Sequence, residues 1–347
     1  MKLNKLIKFL ESVAPPAYQE SYDNAGLIVG DPNTKIKGVL VCLDSTEAII
    51  QEAIKRKCNV IIAHHPIVFK GLKKFNGKSY VERTVMMAIK YDICIYAIHT
   101  NLDNVYHNGV NAKIAEKLKL KKLQILAPKQ NQVKLQFYLN VEQINTYQKA
   151  STKSIAPLAL QNIHSVITAK SSGKKEAAEV KYETTVLQHE VRNVMQYLQS
   201  NTGTKNITHH ILPISNINAK VGSGMIGELD KPILTKTFFS RLKSSMGLKG
   251  FRHTADLGQK IQKIAVCGGA GGFLLGKAIQ AGADIFITSD YKYHEFFDAD
   301  GKIIIADIGH YESEQYTIEL LHGLITKNFS NFAAHCTKLS TNPVFYY

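Results

Sequence analysis

Two stretches of the chain follow the same strand–helix–strand pattern in one register. The first runs from Val39 to His65 and the second from Ile264 to Asp290, so that each position has its counterpart 225 residues later. Each stretch begins and ends with an apolar run typical of a buried strand. Strands joined through a helix in this way are parallel, with a right-handed crossover. Any two such units look alike, but the gapless register favours a duplication and predicts an α/β fold with two pseudo-symmetric lobes whose strand ends face one another.

The first lobe carries two adjacent histidines, His64 and His65, at the end of an apolar run that Pro66 terminates. Open α/β sheets bind their ligands at the carboxyl ends of strands, which is where this pair is expected. Neutral imidazole is the commonest protein ligand for metal ions. The alternative is a pair of loop histidines that only satisfies local hydrogen bonds.

Two further strand ends favour the metal site over that alternative. One apolar run leads into His99 and Asp103, and another ends at Asp307 and is followed by His310 and Glu314. His310 and Glu314 are four residues apart and therefore share one helix face. Imidazole and carboxylate donors without thiolate suit Zn, Mn or Fe(II). Because these donors exceed what one tetrahedral ion uses, they indicate two divalent metal ions per chain, about 3.5–4 Å apart and bridged by a carboxylate.

Five short motifs occur along the chain in a set order. They are Tyr22–Leu27, His64–Pro66, His99–Asp103, Ser289–His294 and Gly309–Glu314. Together they resemble the GTP cyclohydrolase I type 2 homologue family, also called the NIF-three-like dinuclear metal proteins. The resemblance covers roughly residues 1–128 and 220–347, which are taken as the two α/β lobes.

This resemblance implies a set of ligands and an assembly. One metal ion would be held by His64, Asp103 and Glu314. The other would be held by His65, His310 and Glu314, so that Glu314 is the bridge. The resemblance also implies that His99 and His294 line the cavity as acid–base catalytic groups, and that the lobes assemble into a toroidal homohexamer.

Residues 129–219 carry a different pattern, which follows a polar stretch around Pro128. Strands are predicted at Lys134–Asn140, His164–Ala169, Glu179–Leu187 and Ile207–Pro213, and helices at Glu142–Lys149 and His189–Ser200. The order β-α-β-β-α-β predicts a ferredoxin-like α+β domain inserted into the α/β body. Longer members of the resembled family carry a PII-like or CutA-like insert here. Residues 151–175 lack the glycine- and aromatic-rich loop expected of such a domain, so no ligand is assigned to it.

The formal net charge of +15 raises the question of nucleic-acid binding. Only five of the 43 basic residues are arginines, and the lysines are spread along the whole chain. Base-reading and bidentate phosphate sites favour arginine. A solvated basic face is therefore the favoured interpretation, and nucleic acid is not the favoured partner. The positive field would instead draw an anionic small molecule, such as a nucleotide, toward the site.

Glycine clusters and a second histidine pair need separate interpretations. Gly268–Gly272 follows a predicted strand, where its amides would cradle a phosphate; a tight strand–helix turn explains the same glycines. Gly222–Gly227 matches GxGxxG but is not followed by a helix, so a dinucleotide site is rejected. His209 and His210 would point to opposite faces of a strand, which favours a structural role.

Five cysteines, an odd number without a CxxC motif, indicate reduced thiols and a cytoplasmic protein. No apolar stretch approaches the ~18 residues of a membrane span.

These observations support competing functions. The favoured one is a metal-dependent hydrolase of a nucleotide or similar anionic small molecule, since two metal ions can activate water at neutral pH and the family resemblance implies attack on the guanine ring of GTP. The alternative is a non-catalytic metal-binding hexameric scaffold or regulatory protein. A nucleic-acid clamp, supported by charge alone, comes last.

Overall fold

The computed structural model describes residues 1–151, 160, 164–166 and 179–347. The chain divides into two compact units, one formed by Met1–Pro128 with Ala219–Tyr347 and the other by Lys129–Asn218. Residues 152–159, 161–163 and 167–178, which contain most of the 151–175 stretch and the end of the strand predicted at His164–Ala169, lie outside the described residues.

The first part of the larger unit alternates strands and helices. Its elements are α1 Leu3–Val13, β1 Gly26–Val29, β2 Gly38–Cys42, α2 Glu47–Lys55, β3 Val60–Ala63, α3 Tyr80–Lys90, β4 Cys94–Ala97, α4 Thr100–Asp103, α5 Val110–Lys117 and β5 Lys121–Lys129.

The smaller unit follows. Its elements are β6 Gln132–Asn140, α6 Val141–Ser151, β7 His164–Val166, β8 Glu179–Leu187, α7 Val191–Thr202 and β9 His209–Pro213.

The chain then returns to the larger unit. The elements here are β10 Asn218–Leu234, α8 Thr235–Met246, β11 Arg252–His253, β12 Lys260–Ala270, α9 Leu275–Gln280, β13 Ile285–Ser289, β14 Ile304–Asp307, α10 His310–Glu314, α11 Thr317–Asn328 and β15 Ala333–Cys336.

The larger unit contains two sheets of similar construction. One has the strand order β1-β4-β3-β2-β15 and the other β11-β14-β13-β12-β10-β5. In each, three consecutive strands are parallel (β2, β3 and β4 in the first; β12, β13 and β14 in the second), and a short strand, β1 or β11, pairs antiparallel with the third. The fold is therefore mixed α/β.

The register of the two sheets preserves the sequence repeat. Val39 is paired with Val60, and their counterparts 225 residues later, Ile264 and Ile285, are paired in the same way. The parallel arrangement predicted for both repeats is thus present. One consequence is that the loops after β3 and β13 hold equivalent positions, with His65 in the first and Asp290 in the second.

Helix α1 shows how the sequence fixes a buried face. Leu3, Leu6 and Leu10 recur at helical spacing and are completely buried in the main core of the larger unit. Helix α3 begins differently, with a side-chain cap. The Ser79 hydroxyl accepts a hydrogen bond from the Glu82 amide at 3.2 Å and donates to the Glu82 carboxylate.

Loss of this cap gives a first prediction. Ser79→Ala should lower the free energy of unfolding by about 0.5–2 kcal/mol, because the first-turn amide loses its acceptor. Urea denaturation measures the difference, with the exposed Ser330→Ala as the matched control. Equal stability of the two variants would contradict the capping role.

In the smaller unit four strands form a sheet in the order β7-β8-β6-β9, and all neighbours are antiparallel. The described elements follow the predicted order, with bounds within two residues of those predicted where they are described. The side chains on β6 alternate, so that Val133, Leu135, Phe137 and Leu139 are buried. His209 and His210 are exposed on β9, where His209 Nδ1 bonds the Ile207 carbonyl at 2.9 Å.

Two other sequence features are settled by the fold. Gly222–Gly227 lies inside the long strand β10, which is incompatible with a dinucleotide-binding turn. None of the helices in the described ranges is long and apolar enough to cross a membrane.

Candidate metal centre

Three strand ends of the larger unit deliver the candidate ligands. His64 and His65 follow β3, and Asp103 lies at the end of α4, just beyond β4. His310 and Glu314 are the first and last residues of α10, beyond β14. All five predicted ligands come together, because the carboxyl ends of the parallel strands β3 and β4 in one sheet meet the carboxyl end of β14 in the other.

The first set of ligand atoms surrounds His64. Its Nε2 atom lies 3.6 Å from Asp103 Oδ1 and 3.8 Å from Glu314 Oε1. His64 Nε2 and Asp103 Oδ1 are both buried and have no hydrogen-bond partner. Buried polar atoms are rarely left in this way. Ligands held about 2.0–2.2 Å from a common zinc ion are themselves roughly 3.3–3.6 Å apart, so the spacing of this group suits a metal ion.

The second set of ligand atoms surrounds the other carboxylate oxygen of Glu314. Glu314 Oε2 is 2.9 Å from His65 Nε2 and 3.2 Å from His310 Nε2, and the two nitrogens are 3.4 Å apart. Each oxygen of Glu314 thus faces a different set of ligand atoms. His64, His65 and Glu314 also form a group in which one ligand atom from each lies within 4.8 Å of the others.

Each imidazole is oriented through its other nitrogen. His64 Nδ1 donates to the Ile98 carbonyl at 2.8 Å, which leaves a lone pair on Nε2. His65 Nδ1 pairs with Asp44 Oδ1 at 2.7 Å, and His310 Nδ1 pairs with Asp290 Oδ2 at 2.6 Å. Such partners fix ring orientation and raise ligand basicity at metal sites.

The buried charges perturb one another strongly. Burial raises the pKa of Asp103 to about 7, and the neighbouring Glu314 charge adds to the effect. Burial also opposes ionisation of Glu314, but the surrounding imidazoles outweigh it and lower its pKa. Burial lowers the pKa of His65 and His310, but their hydrogen bonds to carboxylates prevail and raise the two pKa values to about 9 and about 11. Protons on His65 and His310 therefore compensate the negative charge of the carboxylates, and metal ions would compete with these protons for the imidazoles.

Gly269 allows the close approach of Glu314 to the sheet. Its φ of +63° is in the left-handed region, and a Cβ at this position would lie 2.5 Å from Glu314 Oε1 and 3.3 Å from His310 Cε1. Gly269→Ala should therefore lower the free energy of unfolding by about 1–3 kcal/mol and weaken metal binding.

The matched control is Gly276→Ala in α9, where a Cβ meets nothing within 4 Å. Denaturation and metal titration of both variants measure the effect. Normal metal affinity in Gly269→Ala would contradict the close packing against Glu314.

His99, predicted as an acid–base group, lies beside the cluster. Its ring centroid is 5.4 Å from that of His64 and 5.3 Å from that of His65. His99 Nδ1 pairs with Asp23 Oδ1 at 2.8 Å, and the Asp23 side chain is fully buried. Burial favours protonated Asp23, but the hydrogen bonds from His99 and Thr100 outweigh it and lower its pKa. His99 is thus held by an ionised carboxylate.

His294, the other residue predicted as catalytic, is not brought to the cluster. It lies in a short 3₁₀ helix, Tyr293–Ala299, where its exposed ring contacts Tyr293 and Phe297. It does not line the cavity beside the ligands.

That cavity has a volume of about 1110 Å³ and includes His65, His99, His310 and Glu314 in its wall. Despite the basic composition of the chain, its charged lining is acidic. The carboxylates are Glu20, Asp44, Asp103, Asp290, Asp307, Glu312 and Glu314. Within the described residues Arg252 is the one Lys or Arg in this wall, and it pairs with Asp307.

The glycines at the end of β12 and just beyond it use three of their amides internally. Gly268 N donates to Asn111 Oδ1, Gly269 N to Ser313 Oγ and Gly271 N to Thr288 Oγ1, at 2.9–3.0 Å. The tight-turn explanation therefore accounts for these glycines, and their amides are not available for a phosphate.

Sequence reasoning assigned no role to Asp23, Asp44 or Asp290. Asp23 stands within the Tyr22–Leu27 motif, and Asp44 follows β2 at the end of the first strand of the repeat. The repeat aligns Asp290 with His65, and this was the available signal for a place at the site.

Known proteins are similar to this chain in fold or in sequence over most or all of their length. A crystal structure of a Bacillus cereus protein related to NIF3 matches with a TM-score of 0.81 and 29% identity, covering 100% of this chain and 99% of that one. The "GTP cyclohydrolase 1 type 2 homolog" of Staphylococcus aureus (strain MSSA476) is 29% identical over 100% of both chains. The protein of the same name from Bacillus subtilis (strain 168) is 30% identical over 88% of this chain and 87% of its own. The profile of the Duf34/NIF3 (NGG1p interacting factor 3) family matches residues 1–343, and the chain belongs to this family.

Proposed function

We propose that the chain binds two divalent metal ions and is a metal-dependent hydrolase of an anionic small molecule. The observation that carries this is the pair of buried atoms without partners, His64 Nε2 and Asp103 Oδ1, next to a large cavity. His64, Asp103 and Glu314 would hold one ion, and His65, His310 and Glu314 the other. Imidazole and carboxylate donors suit Zn, Mn or Fe.

Bound ions would supply an activated water and polarise the bond under attack. The side chains around the site orient the candidate ligands for metal binding. Ile98, Asp44 and Asp290 turn the Nε2 atoms of the three imidazoles toward Glu314. His99 is placed to carry a proton, because its Nδ1 is fixed on Asp23 and its Nε2 is left for transfer. No step is assigned to His294.

The substrate is expected to be a nucleotide or a similar anion. Relatives named "GTP cyclohydrolase 1 type 2 homolog" make GTP the first compound to test. Because the glycine amides are used internally and no lysine of the described residues lines the cavity, the anionic group would be held by the metal ions and Arg252.

The competing function is a non-catalytic metal-binding scaffold or regulator. The cavity and the Asp23–His99 pair favour the hydrolase, since a scaffold needs neither. A toroidal homohexamer in the cytoplasm remains part of the proposal. So does a ferredoxin-like, PII- or CutA-like character of residues 129–219, which is supported by the strand order β7-β8-β6-β9.

The test is a turnover screen of the chain reconstituted with Zn, Mn or Fe(II), using GTP, other nucleotides, phosphoesters and cyclic amides. Metal-dependent turnover that is lost on chelation and restored by the ion supports the hydrolase. Full metal loading without turnover of any of these compounds would favour the scaffold.

A further inference from the structure

The segment Thr337–Tyr346, which follows β15, forms part of the wall of the metal-site cavity. Its first residue continues the pairing of β15 with β2, since Thr337 N donates to the Val41 carbonyl at 2.9 Å. Farther along, Thr341, Asn342, Pro343, Val344 and Tyr346 line the cavity. Asn342 Nδ2 donates to Glu312 Oε1 in α10 at 3.0 Å. The segment is therefore attached at both sides of the site.

Thr341 makes the contact nearest to the metal ligands. Its hydroxyl donates to Asp44 Oδ2 at 2.5 Å, while Asp44 Oδ1 accepts from His65 Nδ1 at 2.7 Å. The other nitrogen of the same ring, His65 Nε2, lies 2.9 Å from Glu314 Oε2. One continuous series of hydrogen bonds thus joins Thr341 to the bridging carboxylate.

Asp44 depends on this hydroxyl for its orientation. Its side chain is 35% exposed and follows the end of β2, so packing alone does not fix its rotamer. The carboxylate that orients the other imidazole, Asp290, pairs with His310 from a backbone held at a φ of +61°. The orientation of His65 therefore relies, through Asp44, on Thr341, which lies 297 residues from Asp44 in sequence.

We propose that Thr341 is a positioning residue for the ion held by His65, His310 and Glu314, an inference that rests on the proposed two-metal centre. Its hydroxyl fixes Asp44, and Asp44 in turn sets the ring of His65. Direct partners of a metal ligand, such as Asp44, typically change metal affinity by about 10- to 100-fold, and Thr341, one hydrogen bond farther out, is expected to act at the lower end of this range.

The test compares Thr341→Val, which removes the hydroxyl at similar volume, with Thr341→Ser, which keeps it. Zn²⁺ affinities are measured by competition with a chromophoric chelator, and the Co²⁺ absorption spectrum reports the ligand geometry at each ion. Thr326→Val, on the exposed face of α11, is the matched control. Unfolding midpoints of all variants establish that they are folded.

Thr341→Val is expected to lower the affinity for one of the two ions by about 10-fold and to alter the Co²⁺ spectrum of that site. Thr341→Ser and Thr326→Val are expected to behave like the unmodified chain. Unchanged binding of both ions in Thr341→Val, equal weakening of both, or a Thr341→Ser variant as weak as Thr341→Val would overturn the proposal. Failure of the unmodified chain to bind two ions would instead contradict the metal centre itself, so the two failures are distinguishable.

Discussion

Glu314→Gln is expected to remove both metal ions from the chain while leaving it folded. Each oxygen of this buried carboxylate faces a different pair of ligands, so one substitution affects both sets. A glutamine side chain has nearly the same shape, but it lacks the negative charge and offers one acceptor oxygen in place of two. The affinity of both ions should fall by on the order of 100-fold or more, beyond the usual effect of an outer partner.

Elemental analysis and metal titration measure this loss, and circular dichroism monitors the fold. The control is Glu319→Gln on α11, whose carboxylate pairs with Lys117 at the surface. Retention of two ions by Glu314→Gln, or loss of only one, would show that this carboxylate does not bridge.

Asp23→Asn is expected to lower turnover by about 10²- to 10⁴-fold while both ions stay bound. Asparagine still accepts the hydrogen bond from His99 Nδ1, but it removes the buried negative charge beside the ring. Asp23 is not among the metal ligands, so the loss should appear in turnover and not in metal content.

The measurement is a paired assay of metal stoichiometry and turnover on whichever substrate the screen identifies. Asp230→Asn, at an exposed position paired with Lys121, is the control. Turnover within about twofold of the unmodified chain would remove His99 from the proton path. Loss of metal from Asp23→Asn would show that the residue only supports the ligand loops.

The parts of the site that lie at strand ends were predictable from the sequence. The gapless repeat predicted parallel strands, and parallel strands deliver whatever follows them to one edge. His64, His65, Asp103, His310 and Glu314 were predicted because each follows such a strand end, and the family resemblance supplied their division between two ions.

Residues that act through long-range contacts were not predictable. Thr341 contacts Asp44 across 297 residues, and Asp23 contacts His99 across 76. A threonine in a polar tail or an aspartate in a loop has no periodicity that distinguishes it from a solvated neighbour. Only the packed structure brings these groups together.

Two expectations drawn from local sequence patterns differ from what the structure shows. The sequence Gly268–Gly272 resembles a phosphate-binding turn. In the structure the amides of Gly268 and Gly269 donate to Asn111 and Ser313 instead. His294 belongs to the Ser289–His294 motif, in which Asp290 pairs with His310, yet its own side chain is exposed on a separate short helix.

The most direct test of the two-metal centre is an anomalous difference map from crystals of the zinc-loaded chain. Two peaks about 3.5–4 Å apart are expected, one beside His64 and Asp103 and the other beside His65 and His310, with Glu314 between them. A single peak, or none within ligand distance of Glu314, would contradict the account.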